Sequence, residues 1–175
     1  ITYGTPAETS LRFGPHAVVL NGFSKYYCMT GWRLGWMVVP EDMLRPVERL
    51  AQNLYISAPN ISQRAAIAAF DCTDELEANV ASYAKNREVL LRELPRAGLT
   101  DLAPADGAFY IYANVSHVTN DSSEFCRRML AETGVAITPG IDFDSSRGSA
   151  YVRISFAGTT DDMTETARRL HAWLA

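Results

Sequence analysis

The 175 residues are 47% hydrophobic and 21% charged with a net charge of −4, the make-up of an ordinary globular chain as long as one domain or as two pieces of a larger one. The acidic balance gives no reason to expect nucleic acid or an anionic membrane as a partner, and no apolar run approaches the roughly 20 residues of a spanning helix. Cys28, Cys72 and Cys126 sit at irregular spacing, without a CxxC or a nearby His pair, which argues against a disulfide framework or a zinc site and for a reducing, cytoplasmic compartment. The chain starts at Ile1, without an initiator Met or a basic-then-apolar leader. It reads as the middle of a longer protein.

Residues 16–20 form a continuous β-branched and Leu run between Pro15 and Asn21-Gly22, the pattern of a short buried strand. Residues 32–39 read as the next strand, stopped by Pro40. Polar Ser24-Lys25 falls between these two strands, as side chains delivered to a site at strand ends do. Residues 41–54 have acids in the first turn and apolar positions at Met43, Leu44, Val47, Leu50 and Ala51, which predicts a helix. Pro59 disfavours helix at Ala58, and the Ala-rich run 61–70 then predicts a largely buried helix.

Thr73 can cap a long helix from Asp74 to about Leu94, striped by Leu76, Val80, Tyr83, Val89, Leu90 and Leu94 and ended by Pro95 and Gly98. Residues 108–113, 135–137 and 151–157 read as strands. Asp121 with Glu124 opens a helix to about Thr133, and Thr159-x-x-Asp162 caps a last helix to Leu174. The alternation gives a mixed α/β fold with helices against a small sheet, divided near the long helix into residues 1–75 and 76–175. No repeat or low-complexity linker interrupts it.

Few residues can carry chemistry. Taken alone, Lys25 reads as a solvated surface lysine and Arg33 as a strand-start arginine in a surface ion pair. In the strand 151–157, alternation puts Val152, Ile154 and Phe156 on one face and Arg153, Ser155 and Ala157 on the other, so Arg153 alone reads as an outward arginine. His16, His117 and His171 are scattered, with no carboxylate or Cys spacing that makes a metal site. Trp32 and Trp36 flank Arg33 and read as core.

The segment Asn21-Gly22-Phe23-Ser24-Lys25, followed by Met29-Thr30-Gly31-Trp32-Arg33-Leu34-Gly35-Trp36, resembles the cofactor-lysine segment of class I/II aminotransferases. These are fold-type I enzymes that use pyridoxal 5'-phosphate. Arg153-Ile154-Ser155-Phe156-Ala157 resembles the same family's Arg-x-Ser-Phe-Ala pattern, Pro139-Gly140-Ile141-Asp142-Phe143 its Pro-Gly-x-x-Phe loop, and Gly107-Ala108-Phe109-Tyr110 its Gly-x-Phe-Tyr segment.

The resemblance implies the C-terminal part of the large domain with Lys25 (residues 1–75), then the small C-terminal domain (76–175). It implies a Schiff base between the cofactor and Lys25, whose amine burial and a nearby cation should hold at a lowered pKa. Arg33 and Ser24 would hold the phosphate. Gly22, where many relatives carry a second Ser, would offer at most a backbone N–H. Gly31 and Gly35 would let backbone approach the ligand. Arg153 would bind the substrate carboxylate with its planar fork, and Gly140 and Phe109 would border the substrate.

The family's other cofactor residues, the ring-nitrogen Asp and the neighbouring Tyr among them, are expected upstream of Ile1. The implied activity moves an amino group between an amino acid and a 2-oxo acid in a homodimer, with Asn60 and Ser62 near the subunit boundary. Two alternatives stay open: a carbon–sulfur β-lyase of the same fold and cofactor, and a catalytically incomplete fragment that binds no cofactor.

Overall fold

The computed structural model describes residues 1–4 and 6–175. The described chain is mixed α/β, with five strands and five α-helices among the described residues. It divides into two compact units, Thr5–Val80 and Ile1–Gly4 with Ala81–Ala175.

In the first unit, β1 (Val19–Gly22) and β2 (Gly35–Val38) form an antiparallel pair, Val19 opposite Val38 and Gly22 opposite Gly35. Both begin later than the apolar runs suggest. Residues 16–18 lie before β1, and Thr30–Trp32 form a 3-10 turn instead of opening β2. The expected burial of this hairpin is not observed: Leu20 is 72% exposed, and Val18, Met37 and Val38 are exposed as well. A two-stranded ribbon covers neither face of itself, so periodicity identifies the strands without identifying what lies on them.

Helix α1 (Glu41–Leu54) has the expected bounds, with Glu41 and Asp42 in its first turn and Pro46 tolerated inside it. Of its apolar stripe only Val47 and Ala51 are half-buried. Helix α2 (Asn60–Ala69) was expected to be largely buried, yet only Ser62 and Ala66 are, while Ile61, Ile67 and Phe70 are exposed. The small core here gathers Phe23, Met29 and Ala66, with Tyr27, Leu34, Ala65 and Ala69 packed around them.

The second unit holds the larger core. Helix α3 (Thr73–Arg96) runs from the first unit into it, and Pro95 falls within its last turn. Gly98 follows at φ +96°, a left-handed stop that glycine makes at little cost. A three-stranded antiparallel sheet has the order β3 (Tyr110–Asn114), β5 (Tyr151–Ser155), β4 (Thr138–Pro139). Ile111, Ala113, Val152 and Ile154 point into the core with Leu90, Leu94, Met129, Phe156 and Leu170. Two helices complete it, α4 (Ser122–Thr133) and α5 (Thr160–Leu174).

Their caps follow from composition. Asp121 accepts from the N–H groups of Ser123 and Glu124, both at 3.0 Å. Thr159 and Asp162 close a reciprocal capping box, with Asp162 N–H donating to Thr159 Oγ1 at 3.1 Å and Thr159 N–H to Asp162 Oδ2 at 3.4 Å.

One polar side chain in this core went unnoticed in the sequence. Asn86 on α3 is fully buried. Its amide donates to the carbonyls of Phe156 (3.0 Å) and Gly158 (2.8 Å), and its oxygen accepts from Thr160 Oγ1 (2.8 Å). Its neighbours in sequence, Lys85 and Arg87, are ordinary charged helix residues that hide it. Replacing it by Leu keeps the branching and number of heavy atoms and strands two carbonyls and a hydroxyl, so Asn86→Leu should lower stability by about 2–4 kcal/mol in urea denaturation. Wild-type stability in that variant would show that the bonds contribute nothing net.

Candidate functional site

The candidate residues fall into two groups, one within each unit. In the first unit, residues 22–35 form a loop whose ends are closed by the β1–β2 pair and by Phe23 N–H donating to the Leu34 carbonyl at 3.1 Å. Met29 N–H returns to the Phe23 carbonyl at 3.1 Å, and Cys28 N–H to that of Lys25 at 3.0 Å, so Lys25 lies in a tight turn. The Phe23 ring anchors the turn from beneath, in contact with Tyr27 (4.8 Å), Trp36 (5.0 Å) and Phe70 (5.6 Å).

Thr30 is the link that sequence reading missed. Its hydroxyl donates to the Ser24 carbonyl at 2.5 Å, and its own carbonyl accepts from Arg33 Nη1 at 2.9 Å. Ser24 and Arg33, nine positions apart, are thereby held in one hydrogen-bonded network around Lys25. Arg33 takes the left-handed backbone region (φ 49°, ψ 52°), a conformation costing about 1–2 kcal/mol for a residue with a Cβ. That bond to Thr30 is its one hydrogen bond among the described residues, which leaves most of its donor fork for an anion. The Ser24 hydroxyl likewise has no partner among the described residues, and a Cβ on Gly31 would meet no atom within 4 Å.

Other expected residues meet different surroundings. Lys25 is exposed, where burial was expected. The Gly22 N–H, the stand-in donor for phosphate, is engaged by Asn21 Oδ1 at 2.8 Å. A Cβ on Gly35 would come 2.8 Å from the Asn21 carbonyl, so this glycine is required by strand pairing, whatever ligand lies near. Ser62, expected near a subunit boundary, is buried and donates to the Trp32 carbonyl at 2.8 Å, while Asn60 is exposed at the start of α2.

Tyr26, next to Lys25, donates its hydroxyl to Glu77 on α3 at 2.5 Å. That bond to a carboxylate favours the protonated phenol and pushes its pKa up to about 12. The unfolded chain ionises its tyrosines near about pH 10. The contribution of this bond is therefore intact below that value and is lost as pH rises through about 12. An absorbance titration should lose one late-ionising tyrosine on the substitution Tyr26→Phe, leaving Tyr3 and Tyr112, which burial also pushes up. A titration unchanged by that substitution would remove the Tyr26–Glu77 bond from solution.

In the second unit, the outer face of the sheet carries Tyr110, Tyr112, Tyr151 and Arg153, the residues alternating with the buried ones on β3 and β5. Arg153 is half-buried, as strand alternation predicts for the face opposite Val152 and Ile154. It stands opposite Tyr112 on one side and Thr138 on the other. Its guanidinium carbon lies 4.2 Å from the centre of the Tyr110 ring and 4.1 Å from that of Phe143. No carboxylate pairs with it among the described residues. Phe109 packs against the core edge with Tyr83 and Tyr110, at 5.8 and 4.4 Å.

Gly140 is buried, and a Cβ there would come within 2.7 Å of the Gly148 carbonyl and the Tyr112 hydroxyl. Its want of a side chain lets the 140–148 loop close upon itself. Among the described residues no group of His, Cys, Asp and Glu side chains is placed to hold a metal, and no helix is long and apolar enough to cross a membrane.

Comparison with known proteins agrees with this layout. The sequence profile of the family described as aminotransferase class I and II matches residues 3–170. The valine–pyruvate aminotransferase of Mycobacterium tuberculosis is 56% identical over 161 residues, covering 91% of this chain and 42% of that protein. The (5-formylfuran-3-yl)methyl phosphate transaminase of Methanocaldococcus jannaschii is 38% identical over 159 residues, with 90% and 42% covered. A crystal structure of an aminotransferase from Mycobacterium tuberculosis superposes with a TM-score of 0.94 at 52% identity, covering 99% of this chain and 46% of that one. The chain thus spans less than half the length of these relatives. With its fold and nearly all of its length matched, the chain belongs to the class I and II aminotransferase family.

Proposed function

We propose that these residues are the C-terminal portion of a pyridoxal 5'-phosphate-dependent aminotransferase, comprising the end of its large domain and its small domain. The observation that carries the reading is the loop in which Thr30 ties Ser24 and Arg33 together around Lys25. An amine, a hydroxyl and a fixed guanidinium on one loop are the donor set that an aldehyde bearing a phosphate requires. The residues present therefore fit the group. Pyridoxal phosphate supplies, when bound, an aldehyde that condenses with amines and a ring that accepts electron density from the substrate Cα.

The protein's own residues have three tasks. Arg33 and the Ser24 hydroxyl hold the phosphate; Arg33 carries a permanent positive charge and a planar fork that matches phosphate oxygens. Lys25 would hold the cofactor through its amine and would move the proton at the substrate Cα, as general base and then as general acid. Arg153 takes the substrate carboxylate and thereby fixes how the Cα–H bond is presented.

The name of the 56% identical relative supports valine, or a similarly small aliphatic amino acid, and pyruvate as the substrate pair. We place the activity in a homodimer, because cofactor sites in the family take residues from both subunits.

Borohydride treatment of the complete protein with the cofactor should fix the cofactor's mass to the peptide bearing Lys25, and Lys25→Ala should abolish both the label and the conversion of valine with pyruvate. A label elsewhere would overturn the assignment. Release of ammonia with no oxo acid supplied would point to the lyase instead. General acid–base work by one lysine contributes about 10²–10⁴-fold, short of the 10⁶ or more of typical enzymes. The 175 residues alone should therefore turn over amino acids at a negligible rate, and turnover near that of a complete relative would contradict this.

A further inference from the structure

The guanidinium of Arg153 has aromatic neighbours and, among the described residues, no hydrogen-bonding or charged ones. An arginine on an open sheet face ordinarily swings freely or settles on a carboxylate, and a mobile arginine must be ordered each time a ligand binds. Here two rings from different elements lie against it. Tyr110 comes from β3, two positions along the strand from Tyr112, the cross-strand partner of Arg153. Phe143 comes from the loop after β4.

Both rings are themselves fixed. Tyr110 is in contact with Phe109 at 4.4 Å, and Phe109 in turn with Tyr83 at 5.8 Å. Phe143 closes the 3-10 turn Gly140–Asp142 through its N–H to the Gly140 carbonyl at 2.9 Å. The next residue, Asp144, accepts from the N–H groups of Ser146 and Arg147 at 2.9 and 3.0 Å, which holds its carboxyl below the usual range and keeps it charged. The loop is shut by the approach of Gly140 to Gly148, whose carbonyl also accepts from the buried Ser122 hydroxyl at 2.8 Å. A ring on such a loop has little freedom to leave the cation.

We propose that Tyr110 and Phe143 are positioning residues for Arg153, holding its guanidinium by ring contact so that its N–H edge is left for a planar carboxylate. Rings attract the cation through their faces but accept none of its hydrogen bonds, so they orient it without consuming the donors a ligand needs. The inference rests on the reading of Arg153 as the carboxylate site and adds to it the means by which the site is preorganised.

The test uses the complete protein and two amines, an α-amino acid substrate and the corresponding amine lacking the carboxylate. Phe143→Leu and Tyr110→Leu should each raise KM for the amino acid by about 3- to 30-fold, with kcat held within about twofold and the carboxylate-free amine unaffected. Phe143→Tyr and Tyr110→Phe, which keep the rings, should restore the wild-type value. Phe143 is half exposed, so Phe143→Leu decides the matter should Tyr110→Leu fail to fold.

Arg153→Ala separates the two levels of the argument. If it leaves amino-acid affinity unchanged, the carboxylate reading itself fails. If it weakens that affinity while both Leu variants behave as wild type, the positioning role alone is overturned. Equal losses for both amines in the Leu variants would also overturn it, since that is general damage.

Discussion

The carboxamide of Asn86 joins three parts of the chain that are distant in sequence: the long helix α3, the residues that follow β5, and the first turn of α5. Buried polar groups are costly unless every donor and acceptor is satisfied, and here both amide hydrogens and the oxygen are used. The geometry is therefore narrow. It fixes where β5 ends relative to the helices, and β5 is the central strand of the sheet. Once its end is fixed, the pairing with β3 and β4 sets which residues face the core. A slip of one position would turn Arg153 into the core and Val152 to the outside.

The first unit rests on a different device. Its loop has little apolar burial beneath it, only Phe23 and Met29 among its own residues. Its shape comes instead from successive backbone bonds that fold the chain back on itself every few residues, with Thr30 and Ser62 supplying the side-chain ties. A loop built this way presents polar groups at short range because the backbone, rather than a packed core, determines their positions.

The sequence was most legible where local chemistry decides the structure. Acids at the start of α1, Asp121 before α4 and the Thr159–Asp162 pair before α5 mark helix starts through groups only a few residues apart. Alternation correctly put Arg153 on the face opposite Val152. Legibility failed where the answer lies in distant contacts. The exposed apolar residues of β1, β2 and α2 carry the pattern of burial without the burial, because a pattern names the face to be covered and not the cover. The tie through Thr30, the buried role of Asn86 and the ring contacts of Tyr110 and Phe143 all depend on register or loop closure, which no window of a few residues contains. Gly35 and Gly140 show the same limit: glycine signals close approach, but only the fold tells whether backbone or ligand comes close.

Arg33 sits at φ 49°, in a region where a side chain is disfavoured and glycine is at ease. A glycine there would relax the backbone and raise the stability of the fold, and it would delete the guanidinium. Thermostability selection on this chain, run without a demand for turnover, would thus be drawn to the very position that, in the function proposed above, holds the cofactor phosphate. In that function, resistance to heat and competence in catalysis are set against each other at a single Cα, and engineering has to select for both together.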